Sequence, residues 1–366
     1  MTTHQKETTR MRFAGAVLVV ALATVSGCST PAAAPAAAPP SASACASSPL
    51  PLPPDANGLD IRGVDPAGRL VVAVPNHNGA ELGAMLWTDG GPPQPLPAIK
   101  DISVAGVNAS GVVAGTRHVP GVAGERAVLI RDGKVVPLPV PDSATSTSAA
   151  GINTRGDVAG TVTLKAGGER AVLWRAGAAT PLLLAAGTGD TSAAGTRDTS
   201  AVGINDDGVV VGNAGQNRHG YRWTPDGTAT ALAVPDGYLR VAAVAVGGDW
   251  ALGVSAAEPV ERDGKLVDDP AHPSRGVRWN LRSGAVEILD KMVGPMAIGA
   301  SGVAAGAIDG TGRPAVWHDG AAFVLPMPMP DPAPSVIDWV GPDGRTMIGT
   351  VRHDDLGAQL AVWRGC

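Results

Sequence analysis

The chain has 366 residues, of which 3% are aromatic and 17% charged, and a formal net charge of −5. That balance excludes the basic footprint that nucleic-acid binding requires. Gly and Pro together number 81, which in an aperiodic chain would indicate disorder, but here they punctuate a repeat.

In chain order, residues 1–27 come first and read as a signal peptide. Lys6, Arg10 and Arg12 precede an apolar run from Phe13 to Val25, too short to span a bilayer as a mature helix. Either Met1 or Met11 serves as the start. The run ends in Val25-Ser26-Gly27-Cys28, which resembles the lipobox of bacterial lipoproteins. The resemblance implies that Cys28 is diacylated and becomes the first residue of the mature chain. Two or three acyl chains hold a protein stably on a membrane. A lipid-anchored protein of the bacterial cell envelope is therefore expected, facing the periplasm or the exterior. Residues 28–48 form a Pro/Ala/Ser-rich tether, extended because Pro31, Pro35, Pro39 and Pro40 interrupt any helix. Beyond Gly27 the chain carries 25 basic and 32 acidic residues, a net charge of about −7 that keeps it soluble on its tether.

From residue 49 onward one unit recurs, most fully as Gly151 to Leu184. Gly151-Ile152-Asn153-Thr154-Arg155-Gly156 is turn chemistry, an Asn that bonds its own backbone followed by a Gly free to take positive φ. Around it lie short runs rich in Val, Leu and Thr: Ser148 to Ile152, Asp157 to Val162, Arg170 to Arg175 and Thr180 to Leu184. The breaks between them are too short for helices, so four strands form each unit. A unit of about 45 residues with four strands cannot bury both faces alone and must stack, as β-propeller blades do.

Two marks fix the register. Turns recur as GVDPAG at Gly63, GVNASG at Gly106, GINTRG at Gly151 and GINDDG at Gly203. They erode to Gly247-Gly248-Asp249, Gly299-Ala300-Ser301-Gly302 and Gly341-Pro342-Asp343-Gly344. Third-strand anchors fall at Trp87, Ile130, Trp174, Trp223, Trp279, Trp317 and Trp363, spaced by 43, 44, 49, 56, 38 and 46 residues. Seven anchors predict an all-β, seven-bladed propeller, a single domain over residues 49–366. The last copy stops after its third strand, while Pro49 to Pro53 (PLPLP) matches the fourth-strand motifs Pro95-Leu96-Pro97 and Pro137-Leu138-Pro139. The N-terminal strand should therefore complete the last blade.

The pattern GIN-x-x-G-x-V-x-G followed by a small-apolar-Leu-Trp strand resembles the bacterial extracellular HAF (His-Ala-Phe) repeats, from about Leu59 to Trp363. That resemblance implies a β-propeller outside the cytoplasm. The signature His survives as His219, four before Trp223. Arg126, Arg170, Arg275 and Arg313 hold the equivalent place elsewhere, and Gly83 and Gln359 are neutral there.

Of three cysteines, lipidation consumes Cys28 and leaves Cys45, just before the closing strand, and Cys366, three past Trp363. If the N-terminal strand closes the last blade, both fall on one edge and should form a disulfide, which an envelope compartment permits.

Both large insertions, Ala185 to Ser200 and Ser255 to Ser274, fall on the face that carries the second-to-third-strand and blade-to-blade loops. His77, His118, His219, His272 and His353 fall on it too, with Arg117, Arg218 and Arg352 immediately before three of them. Two readings stay open. With Arg126, Arg170 and Arg275 these groups form a ring of donors for an anionic or carbohydrate ligand, or each bonds a neighbouring turn as a structural donor repeated with the blade. No H-E-x-x-H, G-x-S-x-G, CxxC or Walker pattern occurs. Asp206-Asp207 and Asp268-Asp269 lack the spacing of a calcium loop and read as turn acids. Asn108, Asn153 and Asn205 read as turn residues. No catalytic residue, metal or cofactor is assigned, and a monomer is expected. The expected function is a non-enzymatic binding, adhesion or scaffold module for an envelope protein, a glycan or an anionic ligand. The alternative is a propeller hydrolase or lyase acting on an envelope or extracellular polymer.

Overall fold

A computed structural model describes residues 45–77, 80–96, 101–187, 198–215, 219–258, 260–262, 265–267, 269, 271–308, 311–328, 333–353 and 357–366. Among the described residues every strand belongs to the unit Pro39–Cys366. The segments read as signal peptide and tether, Cys28 included, lie outside the described residues as far as residue 44.

Every regular element described is a β-strand. The chain enters with β1 (Ala46–Pro49). The first sheet is β2 (Gly58–Val64), β3 (Leu70–His77), β5 (Met85–Thr88) and β6 (Gln94–Pro95), with β4 (Ala80–Glu81) paired to β3. The second is β7 (Ile102–Val107), β8 (Val113–His118), β9 (Glu125–Arg131) and β10 (Lys134–Pro137). The third is β11 (Ala144–Ile152), β12 (Val158–Leu164), β13 (Glu169–Trp174) and β14 (Leu182–Leu184). The fourth is β15 (Thr199–Ile204), β16 (Val210–Ala214), β17 (His219–Trp223) and β18 (Ala229–Ala231). A single parallel bridge, His219 to Val241, joins it to the fifth, which is β19 (Arg240–Gly247), β20 (Trp250–Ala256), β23 (Arg275–Asn280) and β24 (Val286–Leu289). Between β20 and β23 the insertion folds as a hairpin of β21 (Val260–Arg262) and β22 (Lys265–Val267). The sixth sheet is β25 (Met292–Ile298), β26 (Ala304–Ile308), β27 (Pro314–His318) and β28 (Ala321–Val324). The seventh is β29 (Ala333–Val340), β30 (Thr346–His353) and β31 (Gly357–Arg364), completed by β1.

The four strands expected in the Gly151–Leu184 unit are present, with the first beginning earlier, at Ala144. Each turn motif joins the first and second strands of its sheet. Its two glycines do different work. The closing glycines Gly68, Gly111, Gly156, Gly208, Gly302 and Gly344 take positive φ. The leading ones keep ordinary φ but let inner strands approach: a Cβ on Gly63 would stand 3.0 Å from Gly106 Cα, and one on Gly151 3.4 Å from Gly203 Cα.

Apolar packing sits in the seams. Seven clusters each bridge two consecutive sheets, and one joins Leu59, Val71 and Trp87 of the first to Ile348, Leu360 and Val362 of the last. Leu50 and Leu52 pack on that same cluster. The ring is therefore closed, as a β-propeller. Third-strand anchors hold the seams twice over. Trp87, Trp174, Trp223, Trp279 and Trp363 are buried, each contributing roughly 3–5 kcal/mol relative to alanine. Their indole N–H groups donate across the seam to the carbonyls of Pro51, Pro139, Ala185, Ala233 and Pro326 at 2.7–2.8 Å. Ile130 has no such donor, and Trp317 donates instead to Glu287 Oε1 at 3.3 Å.

The N-terminal strand completes the last blade as expected, but it lies earlier than Pro49 to Pro53: of that stretch only Pro49 falls in β1. Ser48 pairs with Val362 and Pro49 with Ala361, and Leu50 N–H donates to Leu360 O as Leu138 N–H does to Ala127 O. The PLP motif is thus the end of the fourth strand, whose body lies in the four residues before Leu50. Cys45 and Cys366 form a disulfide across 321 residues of sequence.

Candidate functional site

The inner strands share one irregularity. Pairing of the first with the second strand slips between Ile61/Gly63, Val104/Gly106, Ala149/Gly151, Ala201/Gly203, Ala243/Ala245 and Ile337/Trp339. In β25 the slip is longer, between Val293 and Ala297. Each short slip is a β-bulge, which re-aims the extra side chain. The bulged residues are Arg62, Ala105, Ala150, Val202, Val244 and Asp338, and all line one cavity of about 480 Å³ whose wall draws residues from all seven inner strands. It lies on the propeller axis. The corresponding residue of the sixth sheet, Met296, is 50% exposed.

Four of the six bulged residues are small and apolar. The two charged ones stand on neighbouring sheets. Arg62 Nη2 lies 3.7 Å from Asp60 Oδ2. Asp338 Oδ2 accepts a 3.4 Å hydrogen bond from the Thr350 hydroxyl. Burial pushes the Asp338 carboxyl up to about 7; the Thr350 bond and Arg352 oppose the rise and Asp60 adds to it. A second cavity, of about 810 Å³, lies in the seam between the first two sheets, against Arg62, Glu81, Leu82, Asp101 and Ser103. Its wall comes from one seam, whereas the axial wall gathers every blade.

The sequence-derived donors lie at the opposite ends of the second and third strands from the turn motifs. Arg117 and His118 end β8 and are exposed. Arg126 Nη1 donates to Thr145 O of the next sheet at 2.8 Å, and also to Ala123 O and Glu125 O. Arg170 Nη1 donates to Glu169 O and stands 4.0 Å from Asp198. His219 opens β17 at its bridge to Val241. His272 Nδ1 lies 3.0 Å from Asp269 Oδ2, with its ring edge-on to Tyr238. That hydrogen bond holds the Asp269 carboxyl below its ordinary range. Arg275 Nη1 reaches Ser274 O at 3.4 Å, and Arg352 is exposed near the end of β30. Arg218 and the His353 side chain lie outside the described residues. Of the described ones, Arg126, Arg170 and His219 stand at separate seams, and Arg352 alone acts on the Asp338 carboxyl.

Comparison with known proteins bears on the fold. No protein-family model matches the chain, and no curated protein matches it. Among solved structures, a streptogramin B lyase superposes with a TM-score of 0.51 at 14% identity, covering 87% of this chain and 97% of its own. The virginiamycin B lyase from Staphylococcus aureus gives 0.50 at 13% identity, covering 87% and 98%. The likeness is one of fold. It identifies the chain as a β-propeller.

Two groups of residues escaped the sequence reading. The bulge ring had a signal: Arg62, Ala105, Ala150, Val202, Met296 and Asp338 each stand six residues before the closing glycine of their turn. The turn asparagines do more than cap. Asn108 Oδ1 accepts from Ser110 and Val112 N–H, as expected of a turn. Its amide also donates to Asn153 O, that of Asn153 to Asn205 O, and that of Asn205 to Gly248 O. The chain of bonds links four consecutive blades around the axis.

Proposed function

We propose that this chain is a lipid-anchored, non-enzymatic binding module of the bacterial cell envelope, of HAF-repeat type, and that its ligand seats in the axial cavity. The observation that carries the reading is the bulge ring, which brings one residue from each of six blades to a common space. A concave, preformed and largely apolar cavity with a few converging polar groups is the ordinary form of a small-molecule site, and about 480 Å³ is within its usual range. Anchoring is supported by the basic, apolar and Val25-Ser26-Gly27-Cys28 segments in their order. The exposed Arg117 and His118 offer a second contact at the rim for an anionic or glycan partner.

A thermal-shift screen of envelope metabolites and glycan fragments against wild type and Val244→Trp tests the axial seat. Compounds that stabilise wild type should lose their effect when the indole fills the cavity. Equal stabilisation of both proteins by every hit would dismiss it.

A second reading is favoured by Asp338, whose pKa of about 7 suits proton transfer at neutral pH. A propeller hydrolase or lyase acting on an envelope polymer would use such a group. Product formation from the hits of the same screen, abolished in Asp338→Asn with binding retained, would favour the enzyme.

A further inference from the structure

Charge on the axial wall is unevenly matched. Ala105, Ala150, Val202 and Val244 present small apolar surface over four consecutive blades, and both charged bulge residues sit on the first and seventh. Arg62 already has a carboxylate partner in Asp60 at 3.7 Å. Asp206, which also lines the wall, accepts the Thr154 N–H at 2.9 Å and presents its carbonyl to the Arg155 guanidinium. Asp338 receives a hydroxyl, from Thr350, and the cation within its field, Arg352, is an exposed residue of the neighbouring strand. The charged groups that act on Asp338 are therefore Asp60 on β2 and Arg352 on β30, while Arg62, on the same wall, is turned to Asp60. A carboxylate withdrawn from water without a bonded cation resists ionisation, which accounts for its high pKa. A cation brought to that wall would relieve the imbalance.

Resting on the axial-binding reading above, we propose that the cavity takes an amine with a compact apolar body, its ammonium paired to Asp338 and its body against Ala105, Ala150, Val202 and Val244. An anion is the poorer fit, since Arg62 would have to leave Asp60 and Asp338 would repel the incomer. A bare metal ion is poorer still, because one carboxylate and one hydroxyl supply too few oxygen ligands.

Three probes of one shape isolate the head group: 1-aminoadamantane, 1-adamantanol and adamantane-1-carboxylate, titrated calorimetrically into wild type, Asp338→Asn and Val244→Trp. At pH 8 wild type should bind the amine at least about tenfold more tightly than the other two, the scale of one charge-assisted hydrogen bond. That preference should fade at pH 5.5, where Asp338 holds its proton, and Asp338→Asn should lack both the preference and the pH response. Equal binding of amine and alcohol, or an unaltered amine affinity in Asp338→Asn, would overturn the amine assignment. The axial seat would survive that result if Val244→Trp still blocked the probes. Binding indifferent to Val244→Trp would remove the seat as well, and no binding of any probe to wild type at millimolar concentration would overturn the amine assignment directly.

Discussion

At the scale of the residue, Asp338 contributes a pH dependence to the fold. Its carboxyl titrates at about 7 when folded and at an ordinary 3.8 when the chain is open, so the folded state holds the proton more tightly. Stability from this group is full below the unfolded value and is lost as pH rises through the folded one. At 1.36 kcal/mol per pKa unit the loss is at most about 4 kcal/mol, and water reaching the half-buried group lowers it further. Asp338→Asn removes the titration. The variant should melt higher than wild type at pH 8, and the gap should close between pH 7 and pH 4. Parallel melting curves across that range would show that Asp338 is not desolvated. The turn asparagines mark the limit of local reading at this scale. Their capping role follows from neighbours two and four residues away, whereas the partners of their amides lie 43 to 52 residues off and are found only once the ring is closed.

Among the elements, the strands were legible because the turn and the tryptophan recur in fixed order, and because a PLP motif ends the fourth strand at Pro49, Pro95 and Pro137. The bulges were not, since one extra residue breaks the two-residue alternation by which a strand is recognised. Nor could composition tell apart the glycines that lead the turn motifs, although their surroundings differ. A Cβ on Gly106 would meet Ile152 Cγ2 at 3.5 Å, an ordinary contact, while one on Gly247 would press against the Ile298 carbonyl oxygen well inside contact distance. Gly106→Ala should therefore shift stability by less than about 1 kcal/mol, helped by the entropy it removes from the unfolded chain. Gly247→Ala should cost about 1–3 kcal/mol through displaced backbone. Urea midpoints with unchanged slopes would register both, and equal effects would contradict the inner-strand spacing.

For the whole molecule, stability depends on closing a circle from two ends of one chain. The seventh sheet takes three strands from the C-terminus and β1 from the N-terminus, and the seam it shares with the first sheet contains Leu50, Leu52, Leu360 and Val362. This arrangement was readable from an incomplete last repeat and a stray PLP motif. The chemistry of the axis was not, because it arises where six separate bulges converge. The Cys45–Cys366 disulfide locks the closing strand at its outer end. Joining residues 321 apart removes much of the unfolded chain's freedom, so Cys45→Ser/Cys366→Ser should lose about 2–5 kcal/mol. The loss should also be directional. Without the bond, β1 can peel from β31 while the third and fourth sheets stay intact. Amide exchange at Leu50, which donates to Leu360 O, should then quicken far more than at Val172, buried in the middle of β13. Uniform acceleration at both amides would mean that the ring opens as one cooperative unit, and that the closing strand is not its weak point.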